Sequence, residues 1–152
     1  MAITIELAKT DFNDGEKIDQ AIDRGLTLTA LDTIRFAKQL TPVDHGRAQG
    51  AWVSEKTTDK TVEISNSAEY IDYLDQGTGI YGPKKQQIVP ISGKVLAFKP
   101  PRGWGNVKSK SGLVFFKSVK GIRPYNIYGG AVKQVDPRVE GLFLKAFTET
   151  IK

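Results

Sequence analysis

Regularly spaced apolar residues near the start of the chain constrain the fold most strongly. They recur at three- and four-residue steps, which is the spacing of one face of an α-helix. The series consists of Ile18, Ile22, Leu26, Ala30, Ile34 and Ala37, widened by Leu31 and Leu40. Residues 13–16 favour a helix start, and Pro42 disfavours helical backbone at Thr41. We therefore expect one amphipathic helix of roughly 25 residues that ends near Leu40, and Gly25 in its middle makes it depend on tertiary packing.

Short alternating or apolar segments predict β-strands. Residues 3–7 alternate between apolar and polar side chains, as in a half-buried strand. Trp52-Val53-Ser54 and Val62-Glu63-Ile64 flank a polar tetrapeptide and predict an antiparallel hairpin. Both apolar residues of its second strand should face inward. Two further apolar runs, 95–98 and 113–116, predict another pair of buried strands.

Two further helices are expected. Tyr70, Tyr73 and Leu74 would share one face of a short helix that Gly77 can end. Asp136-Pro137 indicates the start of a C-terminal helix, because proline is favoured at the first helical position. The expected core face of this helix comprises Val139, Leu142, Phe143, Ala146 and Phe147.

Together these elements predict an α+β fold. The long N-terminal helix and the C-terminal helix would pack on one face of a mainly antiparallel β-sheet. A length of 152 residues is typical of one domain with a real core, so we expect a single domain over residues 1–152. Residues 78–130, which are rich in Gly, Pro and Lys, should form an extended basic loop or hairpin region.

Cysteine usage and hydropathy exclude several classes of protein. The chain has no cysteine, which excludes a disulfide scaffold and thiolate metal sites and agrees with folding in a reducing cytoplasm. No apolar stretch approaches the length that spans a bilayer. Residues 1–13 lack the basic start and the apolar run of a signal peptide. We expect a soluble protein without a membrane partner.

No residue pattern indicates catalysis or cofactor binding. Residues 77–82 match G-x-G-x-x-G, but a dinucleotide site also needs a following helix and an acid about twenty residues later, and the next acid is Asp136. His45 is the only histidine and has no identifiable nucleophile or set of metal ligands. A solvated helix face explains Asp72 and Asp75 better than a catalytic carboxylate pair. We expect no enzymatic activity, no cofactor and no metal.

The charge of the chain is strongly asymmetric. Residues 1–80 hold eight Lys/Arg and fourteen Asp/Glu, whereas residues 81–152 hold fourteen and three. No acid occurs between Asp75 and Asp136, although an average composition would place several there. The basic residues proposed as contacts in this gap are Lys84, Lys85, Lys99, Arg102, Lys108, Lys110, Lys117, Lys120 and Arg123.

This acid-free stretch has three interpretations. Its cations, interleaved with Tyr81, Trp104 and Tyr125, can neutralise nucleic-acid phosphates, although they lack the periodicity of a recognition helix. In an assembly, the basic loop of one subunit can meet the acidic helix of its neighbour in a head-to-tail ring. The third interpretation is a solvated loop kept soluble by lysines. We rank assembly first, the solvated loop second and DNA contact third.

Two turn motifs carry a resemblance to a known family. They are Thr41-Pro42-Val43-Asp44-His45-Gly46-Arg47 and Tyr70-Ile71-Asp72-Tyr73-Leu74-Asp75-Gln76-Gly77-Thr78-Gly79. Their order and spacing resemble the minor tail or neck protein family of long-tailed bacteriophages, whose members join or complete the head–tail connection. The matching positions are Thr41, Pro42, Asp44, Gly46, Asn66, Ala68, Tyr70, Tyr73, Gly77 and Thr78. The chain departs from the family's pattern at His45, Asp75 and Gln76.

The resemblance implies a non-enzymatic structural protein of the virion that is made in the host cytoplasm. It implies a neck or tail-completion component that forms a ring between the head-closure (connector) and tail-terminator proteins, with non-specific contact to DNA in the channel as a further option. The residues expected to act as structural turns are Thr41, Pro42, Asp44, Gly46, Tyr70, Gly77 and Thr78. The alternative function is a basic nucleic-acid-binding module.

Overall fold

The computed structural model describes residues 1–7, 15–43, 46–100 and 111–151. It has antiparallel sheets, a long N-terminal helix and a C-terminal helix, which confirms the predicted α+β class. The chain divides into two compact units. Unit 1 comprises Met1–Asp75 and Tyr125–Lys152, and unit 2 comprises Gln76–Pro124.

A three-stranded antiparallel sheet forms one layer of unit 1. Strands β1 (Ala2–Glu6), β2 (Trp52–Thr58) and β3 (Thr61–Asn66) lie in the order β1-β3-β2. The β2–β3 hairpin and the buried side chains of Val62 and Ile64 confirm the sequence prediction. β3 is the central strand, so β1 and β2 are both edge strands of this sheet.

Helix α1 (Gly15–Leu40) contacts all three strands and is the central element of unit 1. Its end at Leu40 confirms the prediction. Leu31, which was expected to widen the apolar face, is exposed, because α1 instead extends its buried surface on the other side of the stripe. The added buried positions are Ala21, Gly25, Thr29 and Thr33.

The two buried threonines of α1 leave no polar atom unsatisfied. The hydroxyl of Thr29 donates to the carbonyl of Gly25, and that of Thr33 donates to the carbonyl of Thr29, each at 2.8 Å. A threonine that bonds back to its own helix backbone can enter an apolar interface without the cost of an unpaired hydroxyl. The sequence pattern of α1 therefore understates the width of its buried face.

The N-terminal half of the chain also contains two short helices. Helix α2 (Arg47–Gly50) precedes β2, and helix α3 (Ile71–Gln76) follows β3. The short helix before Gly77 was predicted, but its buried side chains are Ile71 and Asp75. Tyr73, on the face that the sequence marked as apolar, is 64% exposed.

The C-terminal part of unit 1 contains two helices. Helix α4 (Ile127–Val135) was not predicted, and it occupies the last residues of the region 78–130 that was expected to be a loop. A short 3-10 turn, Asp136–Arg138, connects it to helix α5 (Val139–Ile151), which begins soon after Pro137 as expected. Both α4 and α5 contact α1. Within the described part of the chain, no helix is long and apolar enough to cross a membrane.

Gly25 is a point of close packing between α1 and α5. A Cβ atom at this position would lie 2.5 Å from the ring of Phe143, well inside van der Waals contact. Phe143 and Phe147 of α5 pack against the core cluster, and Ala146 between them is fully buried. The glycine that weakens α1 as an isolated helix is thus the position that admits the aromatic ring of α5.

Unit 2 contains little regular structure. It has a 3-10 turn at Gly79–Tyr81 and a two-stranded antiparallel sheet of β4 (Leu96–Phe98) and β5 (Val114–Phe116). These strands confirm the predicted pair. The expectation that both strands are buried was wrong, because Val114 is the only buried large apolar side chain among the described residues of unit 2.

Candidate functional site

The first turn motif is held by a buried threonine at the end of α1. Thr41 is 2% exposed, and its hydroxyl donates to the carbonyl of Ala37 at 2.7 Å. The same oxygen accepts a hydrogen bond from the indole nitrogen of Trp52 at 3.0 Å. The Trp52 ring in turn contacts the Tyr128 ring edge-on, with centroids 5.2 Å apart. Thr41 therefore connects the end of α1 to the sheet and, through Trp52, to α4.

The rest of this motif forms a turn before α2. Gly46 has φ +74°, a left-handed conformation that favours glycine, and it is the residue that precedes α2. Pro42 is half-buried directly after Thr41. Asp44 lies outside the described residues, so its turn role stays a prediction, as does the position of His45.

The side chain of Asn66, the last residue of β3, forms two hydrogen bonds with neighbouring backbone. Its side-chain amide donates to the carbonyl of Ala48 at 2.7 Å, and its side-chain oxygen accepts from the amide of Ala68 at 2.9 Å. Both ends of the side chain are thereby satisfied, and α2 is tied to the chain that leads into α3.

The second turn motif contributes a buried carboxylate. Asp75 is 7% exposed, and its Oδ1 accepts a hydrogen bond from the backbone amide of Tyr128 at 3.0 Å. That amide belongs to the first turn of α4, where backbone donors lack partners within the helix and a negative charge is favoured. Asp75 thus caps α4 from a distant part of the chain. Treating it as part of a solvated helix face was wrong.

Backbone hydrogen bonds continue this cap. The carbonyls of Leu74 and Asp75 accept from the amides of Tyr125 and Asn126, at 3.0 and 3.1 Å. Asn126 precedes α4 with φ +50° and makes no capping bond through its side chain. No local pattern of residues indicates this arrangement, because the capping residue lies about fifty positions before the helix that it caps.

Two further residues of the second turn motif are exposed. Tyr70 is 39% exposed, and its role as a structural turn residue stays a prediction. Asp72 is exposed and lies 3.4 Å from the terminal ammonium of Met1. The two aspartates therefore differ: one caps a helix inside the fold, and the other forms a surface ion pair.

Tyr128 is the one residue in the described part of the chain whose buried side-chain polar atom has no hydrogen-bond partner. Its hydroxyl has no hydrogen-bond partner among the described residues. Burial, with smaller contributions from the charges of Asp72 and Asp75, raises the pKa of Tyr128 to about 12. The phenol is therefore kept neutral, and it serves as an aromatic packing group against Trp52.

In unit 2, the backbone of the segment Gly77-Thr78-Gly79 packs directly against another backbone segment. The amide of Thr78 donates to the carbonyl of Ile122 at 2.9 Å, and the amide of Ile122 donates to the hydroxyl of Thr78 at 3.0 Å. A Cβ at Gly79 would lie 2.1 Å from the carbonyl oxygen of Lys120, and one at Gly121 would lie 2.2 Å from that of Thr78. Glycine is needed here because two backbone segments touch.

This geometry accounts for the G-x-G-x-x-G match without a nucleotide. Gly77 and Gly79 have positive φ, of 77° and 65°, and Gly82 lies against the backbone of Gly77. The three-residue 3-10 turn Gly79–Tyr81 lies inside the motif, and no helix begins after Gly82 in the described residues 83–100, so the helix amino terminus that would bind a pyrophosphate is not formed there. The glycines of this motif contact other backbone atoms of the protein.

The described candidate cations of unit 2 are all exposed. These residues are Lys84, Lys85, Lys99, Lys117, Lys120 and Arg123. The guanidinium of Arg123 lies over the ring of Tyr81, 5.5 Å from its centroid. Arg102, Lys108 and Lys110 lie outside the described residues. Because Gln76–Pro124 contains ten Lys/Arg and no Asp/Glu, none of these cations has an acidic partner within its own unit.

Unit 2 also exposes many apolar side chains. Nine large apolar residues in its described part are more than a third exposed. They are Ile80, Tyr81, Ile88, Val89, Ile91, Val95, Phe115, Phe116 and Ile122. Among its described residues, unit 2 buries one large apolar side chain, and so small a core contributes little stability. Exposed apolar surface is a mark of interaction sites.

The acids of α1 are partly neutralised within unit 1. Asp23 lies 2.5 Å from the ammonium of Lys56, and this hydrogen bond raises the pKa of Lys56. Asp32 accepts from Arg138 at 2.6 Å and pairs with Arg35 at 2.9 Å. The helix was expected to be an acidic contact surface, and these two of its acids are paired inside the subunit.

The described residues hold no group of three or more His, Cys, Asp or Glu side chains arranged to bind a metal ion. What the geometry offers is a non-covalent surface, made of uncompensated cations and exposed apolar side chains in unit 2. Comparison of the chain with protein-family models, with curated proteins and with solved structures finds no match.

Proposed function

We propose that this protein is a structural component of a tailed-phage virion, a neck or tail-completion protein that joins head and tail through ring assembly. Its partners would be the head-closure (connector) and tail-terminator proteins, and it would have no enzymatic activity. The protein would be made in the host cytoplasm and end in the virion. The order and spacing of the two turn motifs support the family assignment.

The observation that carries this proposal is the composition of unit 2. Its cations have no acids in the unit to pair with, and its apolar side chains are exposed rather than packed in a core. A surface with both properties gains free energy when an acidic, partly apolar protein surface covers it. Unit 1 supplies the opposite charge, since it holds the other twelve Lys/Arg and all seventeen Asp/Glu of the chain.

The turn motifs fit a supporting role in this scheme. Thr41 and Asp75 bond groups in other elements of unit 1 and fix the ends of α1 and α4. Gly77 and Thr78 lie where the chain enters unit 2; Thr78 bonds the returning segment at Ile122, and Gly77 lies against the backbone of the same segment. We infer that these residues act by holding backbone geometry, while the cations of unit 2 make the contacts of the assembly.

Charge reversal tests the proposal. Lys108, Lys110, Lys117 and Lys120 changed together to Glu should block assembly in a phage complementation assay, because attraction to an acidic partner becomes repulsion. Circular dichroism and thermal unfolding should show that the variant monomer remains folded. The matched control reverses four exposed lysines of unit 1: Lys17, Lys60, Lys133 and Lys145. Unchanged assembly with the first variant would contradict the proposal.

The alternative is a basic nucleic-acid-binding module. The exposed aromatics and the Arg123–Tyr81 contact favour it, because cations interleaved with stacking rings suit single-stranded nucleic acid. This function predicts DNA binding by the isolated protein with a steep loss of affinity as salt rises. The assembly function predicts weak DNA binding and self-association that depends on the same cations.

A further inference from the structure

The outer face of the β1-β3-β2 sheet carries carboxylates. In β3, Glu63 lies between the buried Val62 and Ile64, so it projects to the opposite face. Its neighbours in register are Glu55 of β2 and Thr4 of β1. Glu6 of β1 is paired with Thr61, one step along the same face.

No cation neutralises this face within the described part of the subunit. Glu6, Glu55 and Glu63 form no ion pair with any described residue, in contrast to Asp23 and Asp32 of α1. The other residues that the register places on the face are small or β-branched. They are Ala2, Thr4, Val53, Thr58, Thr61 and Ser65, and Val53 is about half exposed.

The pairing of Glu55 with Glu63 is unfavourable for an isolated subunit. The two residues are directly opposite each other across β2 and β3, and like charges in that position destabilise a sheet. A cation placed between them by a partner would turn this repulsion into attraction. The sheet is therefore more stable when a basic surface of a partner covers it than in the isolated subunit.

We infer that the acidic outer face of this sheet receives unit 2 of a neighbouring copy of the chain. The inference rests on the proposed ring assembly and names its two contact surfaces. Unit 2 has the complementary charge, ten cations with no acid, and its exposed apolar side chains can cover Val53 and the methyl groups of the sheet threonines. Each copy contributes two different surfaces, so the contact is head-to-tail and forms a ring when the rotation closes.

Reversal of charge on either surface should abolish self-association. The first variant is Glu55→Lys/Glu63→Lys, and the second is Lys117→Glu/Lys120→Glu. In native mass spectrometry of the full-length protein, each variant alone should lose the oligomer that wild type forms, with at least about tenfold weaker association. Circular dichroism checks that each variant remains folded.

Mixing the two variants tests the pairing of these surfaces directly. At the four exchanged positions, 55 and 63 of the sheet and 117 and 120 of unit 2, the first variant has lysine on both surfaces and the second has glutamate on both. Each therefore repels its own copies and attracts the other in both orientations. We expect the equimolar mixture to form alternating oligomers that neither variant forms alone. A mixture that remains dissociated would overturn the inference.

A matched control tests whether the sheet face, and not another acidic surface of unit 1, makes the contact. Asp19→Lys/Glu69→Lys makes the same change in net charge at exposed positions of α1 and of the turn before α3, and it should leave self-association within about twofold of wild type. Loss of the oligomer in this control, with retention in Glu55→Lys/Glu63→Lys, would assign the contact to α1 or to the turn before α3 and overturn the inference while ring assembly stands. A wild-type protein that stays monomeric would overturn ring assembly itself.

A neutral substitution gives an independent readout. Glu63→Gln removes the repulsion from Glu55, so the isolated subunit should unfold at a higher temperature while its association weakens. A solvated face with no partner would show the first effect without the second. An association constant unchanged by Glu63→Gln, in protein that has gained thermal stability, would contradict the inference.

Discussion

At the residue scale, two side chains of the turn motifs act through buried hydrogen bonds. Thr41 satisfies the indole nitrogen of Trp52, and Asp75 satisfies the first turn of α4. Neither role follows from local sequence, because each partner lies on another element. The motif at residues 41–47 did indicate where α1 ends, but it gave no sign that a hydroxyl would hold a tryptophan.

Substitution of Asp75 should destabilise unit 1, and the effect should be larger when the new side chain has no hydrogen-bond acceptor. Asp75→Ala leaves the Tyr128 amide without its partner and should lower the free energy of unfolding by about 1–2 kcal/mol in urea titration. Asp75→Asn keeps an acceptor oxygen and should cost less than Asp75→Ala. The exposed Asp72→Asn should stay within about 0.5 kcal/mol of wild type. Equal effects at the two aspartates would show that Asp75 does not cap α4.

Tyr128 makes stability depend on pH in the alkaline range. Its pKa of about 12 in the folded state lies above the ordinary tyrosine value near 10. Between these values the folded state keeps the proton and the unfolded state loses it, so stability falls as pH rises from about 10 to 12.

Tyr128→Phe should remove this alkaline loss. We expect wild type to lose more stability than Tyr128→Phe between pH 8 and about 11.5 in urea titrations, because the variant has no phenol to ionise. Near pH 8 the variant should be about as stable as wild type, since no described partner bonds the hydroxyl. The exposed Tyr125→Phe serves as control and should follow wild type. Parallel pH profiles for wild type and Tyr128→Phe would refute this account.

At the element scale, periodicity predicted most of unit 1. The apolar stripe placed α1, and the alternation around Val62 and Ile64 placed the hairpin, since both patterns are repeated several times. Helix α4 was missed because Gly129 and Gly130 are poor helix formers and its cap is Asp75. Gly130 lies close to the side chain of Leu40, so contact with α1 favours a helix that local propensity does not.

Two glycines allow a test of helix packing with opposite expected signs. Gly25→Ala should destabilise by about 1–3 kcal/mol despite alanine's better helix propensity, because its Cβ would overlap the Phe143 ring. Gly141→Ala, on α5 with no atom within 4 Å, should stabilise by about 0.5 kcal/mol. Thermal unfolding measures both. Stabilisation by Gly25→Ala would mean that α1 and α5 are not packed at this position.

At the scale of the whole molecule, the sequence indicated the charge division but not the surface that carries each charge. The acid-free stretch is visible in the printed chain, whereas the sheet glutamates became a face only when the register of β1, β2 and β3 was known. The acidic partner surface was expected on the long helix. The ion pairs of Asp23 and Asp32 reduce that helix's free charge, and the sheet retains its own.

The central claim is that uncompensated charge and exposed apolar side chains in unit 2 drive self-association. Native mass spectrometry of the purified wild-type protein, across protein concentrations and at low and high salt, tests it most directly. We predict a defined closed oligomer at low salt that loses stability as salt screens the charges. A monomer at every concentration and salt tested would contradict the claim.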